Sequence, residues 1–153
     1  MGPSKSGKSS VEHILSESSH VKTLYEVIKH NELLKNNDCG KDSSELLFEN
    51  LFSQSEGKLF YQGYKVVTST NPESIFYSDY LTDMLPNAYF IIVKRDLLDV
   101  SPEIFTSDYN TENHYSYDVN EISKYLDVYN RACETLALKV PARCLTISFE
   151  DII

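Results

Sequence analysis

Residues Gly2 to Ser9 read Gly-Pro-Ser-Lys-Ser-Gly-Lys-Ser, a complete G-x-x-x-x-G-K-S pattern that runs into an apolar helical repeat. A loop of this type turns successive backbone N–H groups toward one point, and the helix N-terminus behind it adds partial positive charge. Glycine is needed where the chain bends sharply or approaches an oxyanion closely. The lysine supplies a mobile cation, and the final serine offers a hydroxyl to phosphate or to a metal-bound phosphate. The alternative for this segment is a solvated Gly/Ser-rich tail. A second basic corner, Lys94-Arg95-Asp96, closes the most apolar run of the chain, Tyr89–Val93. Arg95 there presents a planar fork suited to phosphate, and Asp96 is placed to orient it or to cap the next turn. Taken alone, that corner is equally an exposed strand end carrying a surface ion pair.

The elements that must position these groups follow from periodicity. Val11, Ile14 and Leu15 recur at helical spacing behind the loop, and residues 21–36 continue as a second helical stretch with Leu24, Val27, Ile28, Leu33 and Leu34 on its apolar side. Asn36 to Gly40 reads as a break, and Ser43/Ser44 as the cap of a short helix. Tyr64–Thr68 is β-rich. Pro72 then forces a turn into a helix with Ile75, Phe76, Tyr80, Leu81, Met84 and Leu85 inward, which Pro86-Asn87 ends. Tyr89–Val93 reads as a strand buried on both faces of a parallel sheet. Asp96 to Ser116 reads as a long polar loop with a short helix, placed as a lid. Asp118 to Leu138 forms the longest helix, and Cys144–Phe149 a last strand. The alternation predicts an α/β nucleotide-binding fold of the P-loop type, a small, mostly parallel sheet flanked by helices.

Composition limits the partners. A chain of 153 residues with 41% apolar residues suits a single domain, here taken as 1–153. Its net charge of −9 argues against nonspecific nucleic-acid binding and makes local basic clusters more telling. Three unpaired-looking cysteines, Cys39, Cys133 and Cys144, suit reduced thiols in a cytoplasmic protein. The four histidines show no H-x-x-x-H pairing, so no metal site is expected. The longest apolar run is too short for a membrane span.

The segment Gly2 to Leu15 resembles the G-x-P-R-S-G-T-T-L-V-E-Q-I-L segment of the sulfotransferases often fused to tetratricopeptide repeats, a group similar to the tyrosylprotein sulfotransferases. Glu26-Val27 falls on the G-E-L element of that family, and Leu85 to Asp99 is similar to its F-P-N-A-K-I-I-x-x-x-R-D-P-x-D. Tyr115 to Asp118 resembles F-S-Y-D, with Tyr125 and Tyr129 in the helix behind it, and Ile147 to Ile152 resembles V-x-Y-E-D-L. The resemblance implies sulfuryl transfer from 3′-phosphoadenosine 5′-phosphosulfate (PAPS) to a hydroxyl acceptor, without a metal. By position, Lys5, Ser6, Gly7, Lys8 and Ser9 would cradle the 5′-phosphosulfate, Arg95 would take the 3′-phosphate, and Glu26 would act as base. Read without the family, Glu26 is a solvated i, i+4 partner of Lys22.

The chain departs from the family in several places. The paired threonines of the family become Lys8 and Ser9, its D-K-x-P lysine falls on Thr70, and a serine that helps to hold the 3′-phosphate falls on Glu103. Lys8 is placed to replace the charge lost at Thr70. The strand before the loop and the C-terminal cofactor-covering segment are expected to be missing, leaving an incomplete domain. Two competing readings stand beside the first. Lys8-Ser9 suits an NTP-using kinase or NTPase, although no aspartate closes an apolar strand to hold Mg²⁺. The lost lysine and serine positions suit a catalytically silent remnant.

Overall fold

The computed structural model describes residues 1–26, 64–109 and 113–152. The expected break at 36–40, the short helix after Ser43/Ser44, the second half of the stretch 21–36 and Cys39 lie outside them. In chain order the regular elements are helix α1 (Lys8–Ser16), strand β1 (Val21–Thr23), strand β2 (Val66–Thr68), helix α2 (Ser78–Met84), strand β3 (Phe90–Lys94), helix α3 (Leu97–Phe105), helix α4 (Val119–Lys139) and strand β4 (Cys144–Ser148). Short 3-10 turns at Pro72–Tyr77, His114–Tyr117, Pro141–Arg143 and Phe149–Asp151 link them. Helices and strands are mixed along the described chain, and both strand pairings are parallel. Among the described residues no helix is long and apolar enough to cross a membrane.

The chain divides into two compact units, Met1–Lys8 with Tyr89–Ile153, and Ser9–Ala88. In the first, β3 pairs with β4 in the register Phe90 with Cys144 through Lys94 with Ser148. Phe90, Ile92 and Val93 are buried, as an apolar run inside a sheet requires, whereas Tyr89 stands outside the strand and is exposed. Met1 lies along the other edge of β3: its carbonyl accepts the Val93 N–H at 2.8 Å, and its nitrogen donates to the Ile91 carbonyl. One residue therefore hands the glycine-rich loop to the sheet.

Helix α4 buries Ile122, Leu126, Tyr129, Cys133 and Leu136 at the spacing the sequence predicts. Its N-cap is Asp118, whose side chain accepts the N–H groups of Asn120 and Glu121. Val100 and Ile104 of α3 pack with Ile122 and Leu126 in a core that Tyr109, Tyr115 and Tyr125 border. The stretch expected to be mainly loop thus contributes a nine-residue helix. Asp96 starts that helix by accepting the Leu98 N–H at 2.8 Å, and Pro102 is accommodated inside it. Cys133 and Cys144 are free, and burial pushes the Cys133 thiol up to about 11.

The second unit corrects the reading of residues 21–36. Val21–Thr23 is not helical; it is a strand paired residue for residue with Val66–Thr68. Two β-branched residues in three favour the extended form, and the partner strand, Val66–Thr68, decides it. A 3-10 turn at Pro72–Tyr77, capped by Asn71 accepting the Glu73 N–H, leads into α2. Ile75 and Leu81 are inward as expected, but Phe76 is exposed and Ser74 and Thr82 are buried instead. In α1 the expected apolar side is also revised: Ile14 faces outward and Glu12 is 1% exposed.

Candidate functional site: a pinned glycine-rich loop

The loop residues fall in the first unit up to Lys8, and side chains far away in sequence fix their shape. The Gly2 N–H donates to the Tyr129 hydroxyl at 3.0 Å, and that hydroxyl donates back to the Gly2 carbonyl at 2.7 Å. Both polar groups of a buried peptide are thereby satisfied by one side chain. Burial raises the Tyr129 hydroxyl above its ordinary range, so it remains protonated and able to donate. The Ser4 and Tyr109 hydroxyls lie 2.7 Å apart. The Lys8 ammonium is turned back into the loop and donates to the Pro3 carbonyl at 2.6 Å.

The two glycines are spatial necessities. A Cβ on Gly2 would stand 2.3 Å from Ser6 Oγ and 2.8 Å from the Val93 carbonyl oxygen. Gly7 has a φ of +92°, and a Cβ there would meet the Phe149 ring at 2.2 Å. The same ring carries the Arg95 guanidinium on its face, 4.9 Å from the centroid. Arg95 Nη1 donates to the Lys5 carbonyl at 2.9 Å, and Lys5 itself has a φ of +65°. The two basic corners, ninety residues apart in sequence, are thus one place in the first unit.

This place retains polar capacity for a ligand. Ser6 Oγ is fully buried and has no partner among the described residues. A buried donor without a partner is costly unless something else satisfies it, and an oxyanion in the loop would do so. Of the two roles expected of Asp96, the cap of the next turn is the one observed: Asp96 caps α3, and Arg95 Nη2 pairs with Glu103 at 2.7 Å.

A sequence profile described as the sulfotransferase family matches residues 1–153. The chain belongs to the sulfotransferase family. The match supports a transferase, with sulfuryl transfer as its class of chemistry. No curated protein sequence matches the chain significantly.

In this sulfotransferase-family chain the remaining expected residues fall in the second unit. Ser9 is exposed in the first turn of α1, and Glu26 is exposed on a turn that directly follows β1, not on a helix. That turn is fastened on two sides. The Tyr25 N–H donates to Glu12 Oε1 at 3.3 Å, and the Thr68 hydroxyl donates to the same oxygen. The Tyr25 carbonyl accepts the Thr70 N–H at 2.9 Å and the Ser69 hydroxyl at 3.2 Å. Thr70, where the resembling family carries lysine, is buried. Neither its hydroxyl nor Glu12 Oε2 has a partner among the described residues.

Three residues that fix these turns are not singled out by the sequence: Tyr129 reads as one more position of the long helix and Phe149 as a strand residue, and Glu12 receives no role. A signal existed for each. Glu12 is an acid amid the apolar run Val11 to Leu15, and Tyr129 and Phe149 sit in the segments that carry the family resemblance.

Proposed function

We propose that this chain transfers a sulfuryl group from PAPS to a hydroxyl acceptor, in the manner of the sulfotransferases associated with tetratricopeptide repeats and of the tyrosylprotein sulfotransferases. The observation that carries the reading is the Arg95–Lys5 contact of 2.9 Å, which unites the two cationic corners that a doubly phosphorylated nucleotide requires. Lys5, Ser6, Gly7, Lys8 and Ser9 cradle the 5′ end. Ser6 Oγ supplies a hydroxyl with no protein partner among the described residues, and the backbone beyond Gly7 supplies N–H donors at the start of α1. Arg95 faces the 3′ position of the donor.

In the reaction, the acceptor oxygen attacks sulfur as the bond from sulfur to the bridging phosphate oxygen breaks. The acceptor proton passes to the Glu26 carboxylate, and adenosine 3′,5′-bisphosphate leaves. Lys8 neutralises charge on the bridging oxygen, in place of the lysine that Thr70 replaces. With a hydroxyl at position 70 and an acid at 103, turnover is expected to be slower than a complete lysine and serine set would give.

Calorimetric titration with adenosine 3′,5′-bisphosphate and with ATP–Mg²⁺ tests the proposal. Binding of the bisphosphate, with affinity lowered about tenfold or more in Lys8→Ala, is the expected result, since a charge-assisted contact to phosphate is lost. Binding of ATP–Mg²⁺ alone would replace sulfuryl transfer by phosphoryl transfer. Silence with both would leave a protein without donor chemistry.

A further inference from the structure

Both terminal nitrogens of the Arg95 guanidinium are engaged by the protein itself. Nη2 meets Glu103 Oε1 at 2.7 Å, Nη1 meets the Lys5 carbonyl at 2.9 Å, and one face rests on Phe149. Arg95 is mostly covered, whereas the Glu103 side chain is half exposed, so the acid closes the pair from the solvent side. A guanidinium binds phosphate best through two parallel N–H groups of one edge. Here the two terminal nitrogens are committed to different acceptors.

Further negative charge surrounds the pair. Glu150 accepts the Asp96 N–H at 2.9 Å through Oε1 and hydrogen-bonds the Ser148 hydroxyl through Oε2. These bonds, with a contribution from the charge of Arg95, hold the Glu150 carboxyl below its ordinary value. A phosphate dianion arriving at Arg95 must therefore displace the Glu103 carboxylate and approach that of Glu150. A ribose hydroxyl meets no such obstacle, because a carboxylate accepts its hydrogen bond. The same choice between an acid and an arginine sorts hydroxyl from phosphate at the ribose in dinucleotide sites.

Resting on the reading that Arg95 faces the 3′ position of the donor, we infer that Glu103 sets donor specificity: the chain takes nucleoside 5′-phosphates with little preference for those that carry a 3′-phosphate. Its donor class then includes an adenosine 5′-phosphosulfate whose 3′-hydroxyl is free. Glu103 acts through Arg95, as an internal anion at the phosphate position.

The test is calorimetric titration of the whole chain, and of Glu103→Gln and Glu103→Ala, with AMP and with adenosine 3′,5′-bisphosphate at one fixed ionic strength. Circular dichroism verifies that the variants are folded. The parent chain should favour the bisphosphate by less than about fivefold, and both variants should raise that ratio by about tenfold or more as the like charge is removed. A parent preference of about a hundredfold would overturn the inference and leave the proposed function standing. AMP binding with the same ratio in parent and variants would overturn it as well. No binding of either nucleotide by any of the three proteins would overturn the inference and the proposed function together.

Discussion

Two turns of this chain solve one backbone problem by different means. In the first unit, Lys5 sits at φ +65° and its carbonyl is gripped by Arg95. In the second, Tyr25 sits at φ +50° and its carbonyl is gripped by the Thr70 N–H and the Ser69 hydroxyl. Non-glycine residues occupy this region only when the surroundings hold them there. The grip on Lys5 is cationic and is the group proposed to bind donor, so the loop's shape and its charge depend on one another. The grip on Tyr25 is neutral and serves geometry alone. The first turn is also relieved by glycine at positions 2 and 7, whereas the second contains none.

The sharpest way to break that comparison is to remove the relief. Gly7→Ala places a methyl 2.2 Å from the Phe149 ring at a φ of +92°. Strain in the backbone and overpacking together should cost about 2–6 kcal/mol, since each contributes about 1–3 kcal/mol. Bisphosphate binding should be lost along with it. Equilibrium urea unfolding and calorimetry measure the two effects, and a stable Gly7→Ala protein with intact binding would show that the loop has room to rearrange.

A smaller loss should follow from untying the loop at its start. Tyr129→Phe keeps the buried ring but leaves the Gly2 N–H and carbonyl without that hydroxyl. Buried groups left unsatisfied cost about 1–3 kcal/mol, so the midpoint of thermal unfolding should fall by several degrees. Tyr117→Phe is the matched control. Its hydroxyl donates to the Tyr109 carbonyl at 2.9 Å in an exposed setting, where the loss should be about 0.5 kcal/mol or less. Equal losses in the two variants would mean that Tyr129 does no more for the loop than a surface contact.

What was legible in the sequence follows the same division. The turn that runs into α1, the buried strand after Pro86-Asn87 and the face of α4 are local signals of period and residue type, and each has its counterpart in the structure, the strand one residue later than expected. Val21–Thr23 was misread because a three-residue element carries no period, and its partner lies beyond residue 63. Helix α1 was placed well but turned wrongly. Hydropathy puts Ile14 inside, whereas the structure buries Glu12, whose carboxyl is held by the N–H of Tyr25 and the hydroxyl of Thr68. The Arg95–Glu103 pair was half legible: the acid was recognised as a departure, but its choice of partner depends on where α3 begins.

The smallest effect should have the opposite sign. Tyr25→Gly removes a side chain that is half exposed and a Cβ that disfavours φ +50°. Relief of a left-handed conformation is worth about 1–2 kcal/mol, and the greater freedom of glycine in the unfolded chain returns about 0.5–1 kcal/mol of it. A net gain of about 0.5–1 kcal/mol is therefore expected in urea unfolding. The resembling family carries glycine before its glutamate at this point, which is the residue the geometry asks for. If instead the variant is destabilised by more than about 1 kcal/mol, the tyrosine ring must hold the turn through contacts that outweigh its backbone strain. The second turn would then depend on its own side chain, as the first depends on Tyr129, and the contrast between the two would narrow to the charge of the group that grips each carbonyl.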